Sequence, residues 1–193
     1  MNKKTMGFAI CGSFCTFSRI LQEIERLCAN YDISPILSEA SLNTDTRFFK
    51  AEAFLHQVEA LTGKSAITTI TAAEPIGPKG YLDILVVAPC TGNTLAKLAQ
   101  GITDTAVTMA CKAQLRNERP VVLAISTNDG LSGNAPNIGT LLNRRHCYFV
   151  PFTQDDPIKK PNSLVADFSQ IAQTAEAALQ GRQIQPLLPL RPE

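Results

Sequence analysis

Ile84-Leu85-Val86-Val87-Ala88-Pro89-Cys90-Thr91-Gly92-Asn93-Thr94-Leu95-Ala96-Lys97-Leu98-Ala99-Gln100-Gly101 opens as an unbroken apolar run and turns polar at Thr91. A short run without alternation reads as a strand covered on both faces, because an exposed face would show polar residues at every second position. A helical pattern follows over residues 93–100 and stops at Gly101. A buried strand feeding a helix through a polar turn is the unit from which parallel sheets are built.

The same unit recurs outward in both directions. Strand-like runs lie at residues 7–11, 34–37, 66–70, 121–126 and 147–150. Between them, Phe17, Ile20, Leu21, Ile24, Leu27 and Cys28 share one helical face. Further helices are predicted over residues 46–61, where Gly63 supplies a C-cap, and over 104–115, 138–144 and 163–180. Right-handed crossovers then give a Rossmann-like, doubly wound α/β fold, with a mainly parallel sheet and helices on both faces. Residues 1–185 read as one such domain. Residues 151–161, rich in Pro, Asp and Lys, read as a linker-like stretch, and 186–193 as a proline-rich tail, either a loose end or an arm laid on a neighbour.

With 193 residues the chain can bury a core without staples. Its 18 basic and 17 acidic residues are spread evenly, so the footprint of nucleic-acid binding is missing. No apolar run approaches the roughly 20 residues of a membrane helix, and no cleavable leader is evident. These features predict a cytoplasmic protein whose partners are small molecules or proteins. Cys11, Cys15, Cys28, Cys90, Cys111 and Cys147 show no metal-type spacing and read as reduced, mostly buried thiols. His56 and His146, the two histidines, stand in no catalytic pattern.

In parallel sheets ligands bind outside the carboxyl ends of the strands. After the first strand comes Gly12-Ser13-Phe14-Cys15-Thr16, opening into a helix, which suits an anion; the same Ser13 or Thr16 would serve equally as a helix cap. The three spaced glycines of an NAD site are missing. Ser38, Ser41, Asn43 and Thr44 follow the second strand, and Ser126-Thr127-Asn128-Asp129-Gly130 the run at 121–126. Asn93 either orients a ligand or caps its helix. The donors suit holding a polar planar ligand better than hydrolysis, for which neither a carboxylate pair nor a metal set is present.

Pro89-Cys90-Thr91-Gly92-Asn93-Thr94, with Lys97, Ala99, Gly101, Ile102 and Asp104, resembles the Pro-Ala-Ser-Ala-Asn-Thr motif of the flavin-containing cysteine decarboxylase (flavoprotein) family. Gly12-Ser13 matches that family's first phosphate contact, and Asn128 with Pro136-Asn137-Ile138 matches its Pro-X-Met-Asn segment. The resemblance implies FMN as cofactor, with Gly12, Ser13 and Ser38 on the phosphate, and Thr91, Asn93, Thr94 and Asn128 around the ring system. Asn93 is the implied catalytic residue. A homo-oligomer built on a trimeric unit is implied too. Where the family's decarboxylases carry a His, eight residues before Asp83, this chain has Pro75; Thr127 replaces the segment's Met and Gly92 the motif's second Ala. Residues 160–167 and 183–186 resemble one branch of the family, whose members work with a nicotinamide-binding partner in an oxidation. Three roles follow from the resemblance: a flavin-bearing oxidoreductase component, a non-catalytic partner that keeps only the phosphate crevice, or an independent flavin-dependent decarboxylase using Asn93 and a backbone site.

Overall fold

In the computed structural model, which describes residues 3–189, a seven-stranded sheet forms the centre of the chain. The strands are β1 (Lys4–Ile10), β2 (Tyr31–Leu37), β3 (Ile84–Cys90), β4 (Val121–Thr127), β5 (Cys147–Phe149), β6 (Phe152–Asp156) and β7 (Lys160–Ala166). They run in the order β2-β1-β3-β4-β7-β6, with β5 beside β4. The pairs among β1 to β5 are parallel; β7 joins β4 and β6 antiparallel. The expected α/β fold with a mainly parallel sheet is therefore present. Every residue of β3 is buried, which explains its unbroken apolar sequence.

Helices α1 (Phe17–Leu27), α2 (Glu39–Asn43) and α3 (Ala51–Thr62) follow the first two strands. Short α4 (Ile70–Ala73) and α5 (Ile76–Lys79) lead to β3. Then come α6 (Gly92–Gln100), α7 (Ala106–Arg116), α8 (Ala135–Leu142) and α9 (Ile171–Leu179). On α1 the predicted stripe is buried at Phe17, Ile20, Ile24 and Leu27, and Phe17 stacks on Phe54 of α3 with ring centroids 3.9 Å apart. Each such ring contributes roughly 2–3 kcal/mol of burial as an upper estimate. Thr5 and Asp83 clasp the starts of β1 and β3: the Thr5 N–H donates to the Asp83 carboxylate at 2.8 Å, and the Asp83 N–H returns to the Thr5 carbonyl at 2.9 Å.

Three expectations change. Residues 66–70 form no full strand: Ile67 makes a single parallel bridge to Ile36, after which Thr69 accepts the Ala72 N–H and caps α4. Residues 151–161 are no linker, since β6 and β7 form a hairpin whose turn is held by Asp156 accepting the Ile158 and Lys159 N–H groups. Its Pro and charges fit an edge hairpin, where unpaired backbone must be blunted. The helix expected over residues 163–180 starts only at Ile171, because Asp167 caps a 3-10 turn at Phe168–Gln170 and β7 occupies what precedes it. Gln183 closes the β5 edge by bonding both the N–H and the carbonyl of Phe149. The Leu187 carbonyl accepts the Phe152 N–H at 3.1 Å, so the start of the tail lies on its own chain; residues 190–193 fall outside the described residues.

Candidate functional site

The chain leaves β1 outward to β2 on one side and returns to β3 on the other, so the ends of β1 and β3 splay apart. A crevice opens there, as it does at the switch point of doubly wound sheets generally. Its volume is about 830 Å³. The wall is built from Gly12, Ser13, Cys15, Thr16 and Arg19 after β1, from Thr91, Gly92 and Asn93 after β3, and from residues 126–129 at the end of β4. Asp155, Lys160, Ser163, Leu164 and Val165 of the β6–β7 hairpin close the remaining side. Reading that hairpin as linker and helix is what hid these five residues from the sequence.

Of the residues expected at the site, Gly12, Ser13, Thr91, Asn93 and Asn128 line this one crevice. Ser13 Oγ lies 2.8 Å from Ser126 Oγ, tying the end of β1 to β4 across β3. Asn93 is exposed in the first turn of α6, whose N-cap is Thr91, so the capping alternative for Asn93 falls away. Neither Asn93 nor Asn128 spends its carboxamide on a partner among the described residues. Ser38 and Thr94 are not part of the crevice wall. Ser38 caps α2, accepting the Ser41 N–H at 3.2 Å, and Thr94 donates to the buried Cys11 sulfur at 3.2 Å. The Ser38 hydroxyl closes the first turn of its own helix, whereas Thr94, inside α6, reaches across to the residue that follows β1.

Asp129, which the sequence does not set apart from its polar neighbours, organises the end of β4. Its carboxylate accepts from Thr127 Oγ1 and from Asn134 Nδ2, the latter at 2.8 Å. Gly92 packs directly on this group. A Cβ there would stand 2.5 Å from Asn134 Nδ2, 2.6 Å from Thr127 Oγ1 and 2.8 Å from Asp129 Oδ1. The two departures from the family motif at positions 92 and 127 are thus one packing unit. Pro75, at the position of the family His, precedes α5 and does not reach the crevice. Lys97 pairs with both carboxylate oxygens of Asp104 at 2.9 Å, joining two residues that the motif holds seven positions apart.

Cys11, Cys90 and Cys111 are ill suited to nucleophilic work. Burial pushes Cys11 up to about 11 and Cys90 and Cys111 well above the ordinary thiol range. Cys15 is the exposed one and lies in the crevice wall. No group of side chains among the described residues could hold a metal ion, and no helix among them is long and apolar enough to cross a membrane.

The arrangement fits a flavin nucleotide on its donor set. Ser13 and the backbone at Gly12 stand where an anion would meet the 3-10 turn Phe14–Thr16 that leads into α1, and two unengaged carboxamides offer both donors and acceptors to a heteroatom-rich ring edge. The volume falls within the roughly 300–1,000 Å³ of small-molecule sites.

The chain belongs to the flavoprotein family, whose profile matches residues 1–153. Over 186 residues it is 46% identical to the B subunit of dipicolinate synthase from Bacillus subtilis (strain 168), covering 96% of this chain and 93% of that one. The crystal structure of the corresponding dipicolinate synthase B subunit from Bacillus halodurans matches it with a TM-score of 0.90 at 42% identity, over 99% of this chain and 100% of the other. The FMN-dependent cysteine decarboxylase SpaF shares the fold, with a TM-score of 0.67 at 22% identity over 92% of this chain and 97% of its own.

Proposed function

We propose that the protein is the flavoprotein-like B subunit of a cytoplasmic dipicolinate synthase. It works with a nicotinamide-dependent A subunit to form dipicolinate, pyridine-2,6-dicarboxylate, from a dihydrodipicolinate-pathway precursor during sporulation. The observation that carries this reading is the convergence of Gly12, Ser13, Thr91, Asn93 and Asn128 from three strand ends in one crevice, in a chain so similar to named B subunits.

In this reading Gly12 and Ser13 hold the phosphate of FMN, while Thr91, Asn93 and Asn128 border its ring system. When bound, FMN supplies an acceptor for hydride, and the protein contributes orientation and electrostatics. Asn93 orients substrate or ring from the start of α6. The absence of the family His is no obstacle to such an oxidation, whereas it argues against the decarboxylation of a cysteinyl substrate. A homo-oligomer, with FMN between subunits of a trimeric unit, is part of the same reading. Titration of flavin-free protein with FMN, followed by quenching of flavin fluorescence, tests it. Saturable binding, and flavin reduction or dipicolinate formation only when the A subunit is added, are the expected results.

A second reading, a docking partner without flavin chemistry, is favoured by one feature. A groove of about 550 Å³ next to the crevice is lined by Leu131, Ile138, Leu142, Phe152, Leu164 and Leu188, with no charged residue in its wall. Leu131, Leu142 and Leu188 are all exposed there, and such patches mark interaction sites. Absence of FMN binding, together with loss of association with the A subunit in Leu142→Asp, would establish this reading in place of the first.

A further inference from the structure

Two cations and two carboxylates line the crevice, and three of the four are already engaged. Asp129 is held by Thr127 and Asn134. Lys160 and Asp155 form an ion pair of 2.6 Å on the hairpin. The fourth, Arg19, projects from the first turn of α1 and lays its guanidinium over the Phe168 ring, 4.9 Å from the centroid. Asp167 attracts it only through space, since the Asp167 oxygens are taken by Ser169 and Gln170. Among the described residues Arg19 has no ion pair and no hydrogen-bond partner.

That placement has consequences. A guanidinium stacked on an aromatic face has its plane fixed and its N–H edge free, so little further order is lost when a planar oxyanion docks on it. A cation in the first turn also stands against the helix dipole, and Asp167 offsets this only through space. The stacking partner belongs to the turn after β7, so the guanidinium is drawn toward the hairpin wall and away from the donors at Gly12 and Ser13. Lys160 stands on that wall too, its charge paired with Asp155, so Arg19 is the cation left for a ligand.

We propose that Arg19 is the anchor for a carboxylate of an anionic small-molecule substrate or product, held between α1 and the β6–β7 hairpin beside the phosphate donors. The proposal deepens the functional reading above and rests on it for the identity of the acid, a pyridine or dihydropyridine dicarboxylate. The recognition itself is bidentate guanidinium–carboxylate pairing, which Lys cannot reproduce.

Calorimetric titration of the flavin-free protein with pyridine-2,6-dicarboxylate and, separately, with FMN tests it. The expected result is saturable dicarboxylate binding that weakens at least about tenfold in Arg19→Gln, which keeps the stem over Phe168, and nearly as much in Arg19→Lys. FMN affinity in both variants stays within about twofold of the parent. Dicarboxylate affinity unchanged in Arg19→Gln, or no binding to the parent protein, overturns the proposal. So does a loss confined to FMN, which would make the anion a phosphate. Binding of dicarboxylate that depends on Arg19, in a protein that takes up no FMN, would overturn the flavin reading and leave the carboxylate anchor standing.

Discussion

Ser13 Oγ and Ser126 Oγ, 113 positions apart in sequence, lie 2.8 Å apart at the base of the crevice. The contact spans the end of β3, so the loop after β1 is fixed against β4 by a bond that neither strand pairing supplies. Ser13 can therefore present a fixed hydroxyl to a phosphate instead of a mobile one. Replacing it with Ala removes one donor from the crevice and leaves Ser126 without its partner. FMN affinity should fall by roughly fivefold to tenfold, the equivalent of about 1 kcal/mol. Fluorescence quenching measures it, and parental affinity in Ser13→Ala would remove Ser13 from the site.

Asn93 separates binding from stability more cleanly. Its side chain is exposed, caps nothing and bonds nothing among the described residues, so the fold does not depend on it. Asn93→Ala should leave the thermal midpoint unchanged or slightly higher, because Ala is the better helix former by roughly half a kcal/mol. FMN binding should weaken. A drop in the midpoint with flavin affinity intact would show a structural residue and discard the proposed role.

Gly92→Ala makes the opposite test, since it restores the residue that the family motif carries. In most helices the change stabilises. Here the added methyl would meet Asn134, Thr127 and Asp129 at 2.5–2.8 Å, among groups already committed to one another. Overpacking of this kind costs about 1–3 kcal/mol and outweighs the gain in helix propensity. The urea midpoint should fall, and a rise would show that the Asp129 group yields at little cost. Pairing the substitution with Thr127→Ala should recover part of the loss, because one of the three close neighbours is then gone.

The legible part of the fold was the part built from local pattern. The apolar run at β3, the stripe on α1 and the glycine cap at Gly63 follow from burial and backbone geometry that a few neighbouring residues decide. The β6–β7 hairpin was not legible, because an edge hairpin carries Pro and charge for the same reason a linker does, and its pairing to β4 is a long-range event. Five crevice residues went with it. Ser38 and Thr94 show the converse: both are hydroxyls close to strand ends, yet Ser38 caps α2 and Thr94 donates to the Cys11 sulfur, so neither lines the crevice. Arg19 carried a signal that could have been read, a cation in the opening turn of a helix with no acidic residue there to balance it.

The shielded thiols should weaken the fold as the pH turns alkaline. In the unfolded chain they titrate at the ordinary value of 9.0, whereas burial raises Cys147 to about 11 in the folded protein, partly offset by Arg144, and raises Cys11 to a similar value. Between these values the unfolded chain has released protons that the folded one retains. Raised folded values mean that the stabilisation is complete below about pH 9 and is lost as pH climbs toward 11. Cys90 and Cys111, raised further by burial, extend the loss in the same direction. Urea midpoints should therefore decline steadily across that window. Cys147→Ala should flatten the decline. Thiol labelling checks the same picture from the other side: Cys15 should react first in the native protein, and Cys11, Cys90 and Cys111 only as it unfolds. An undiminished decline in Cys147→Ala would mean that the titration governing alkaline unfolding lies outside this thiol.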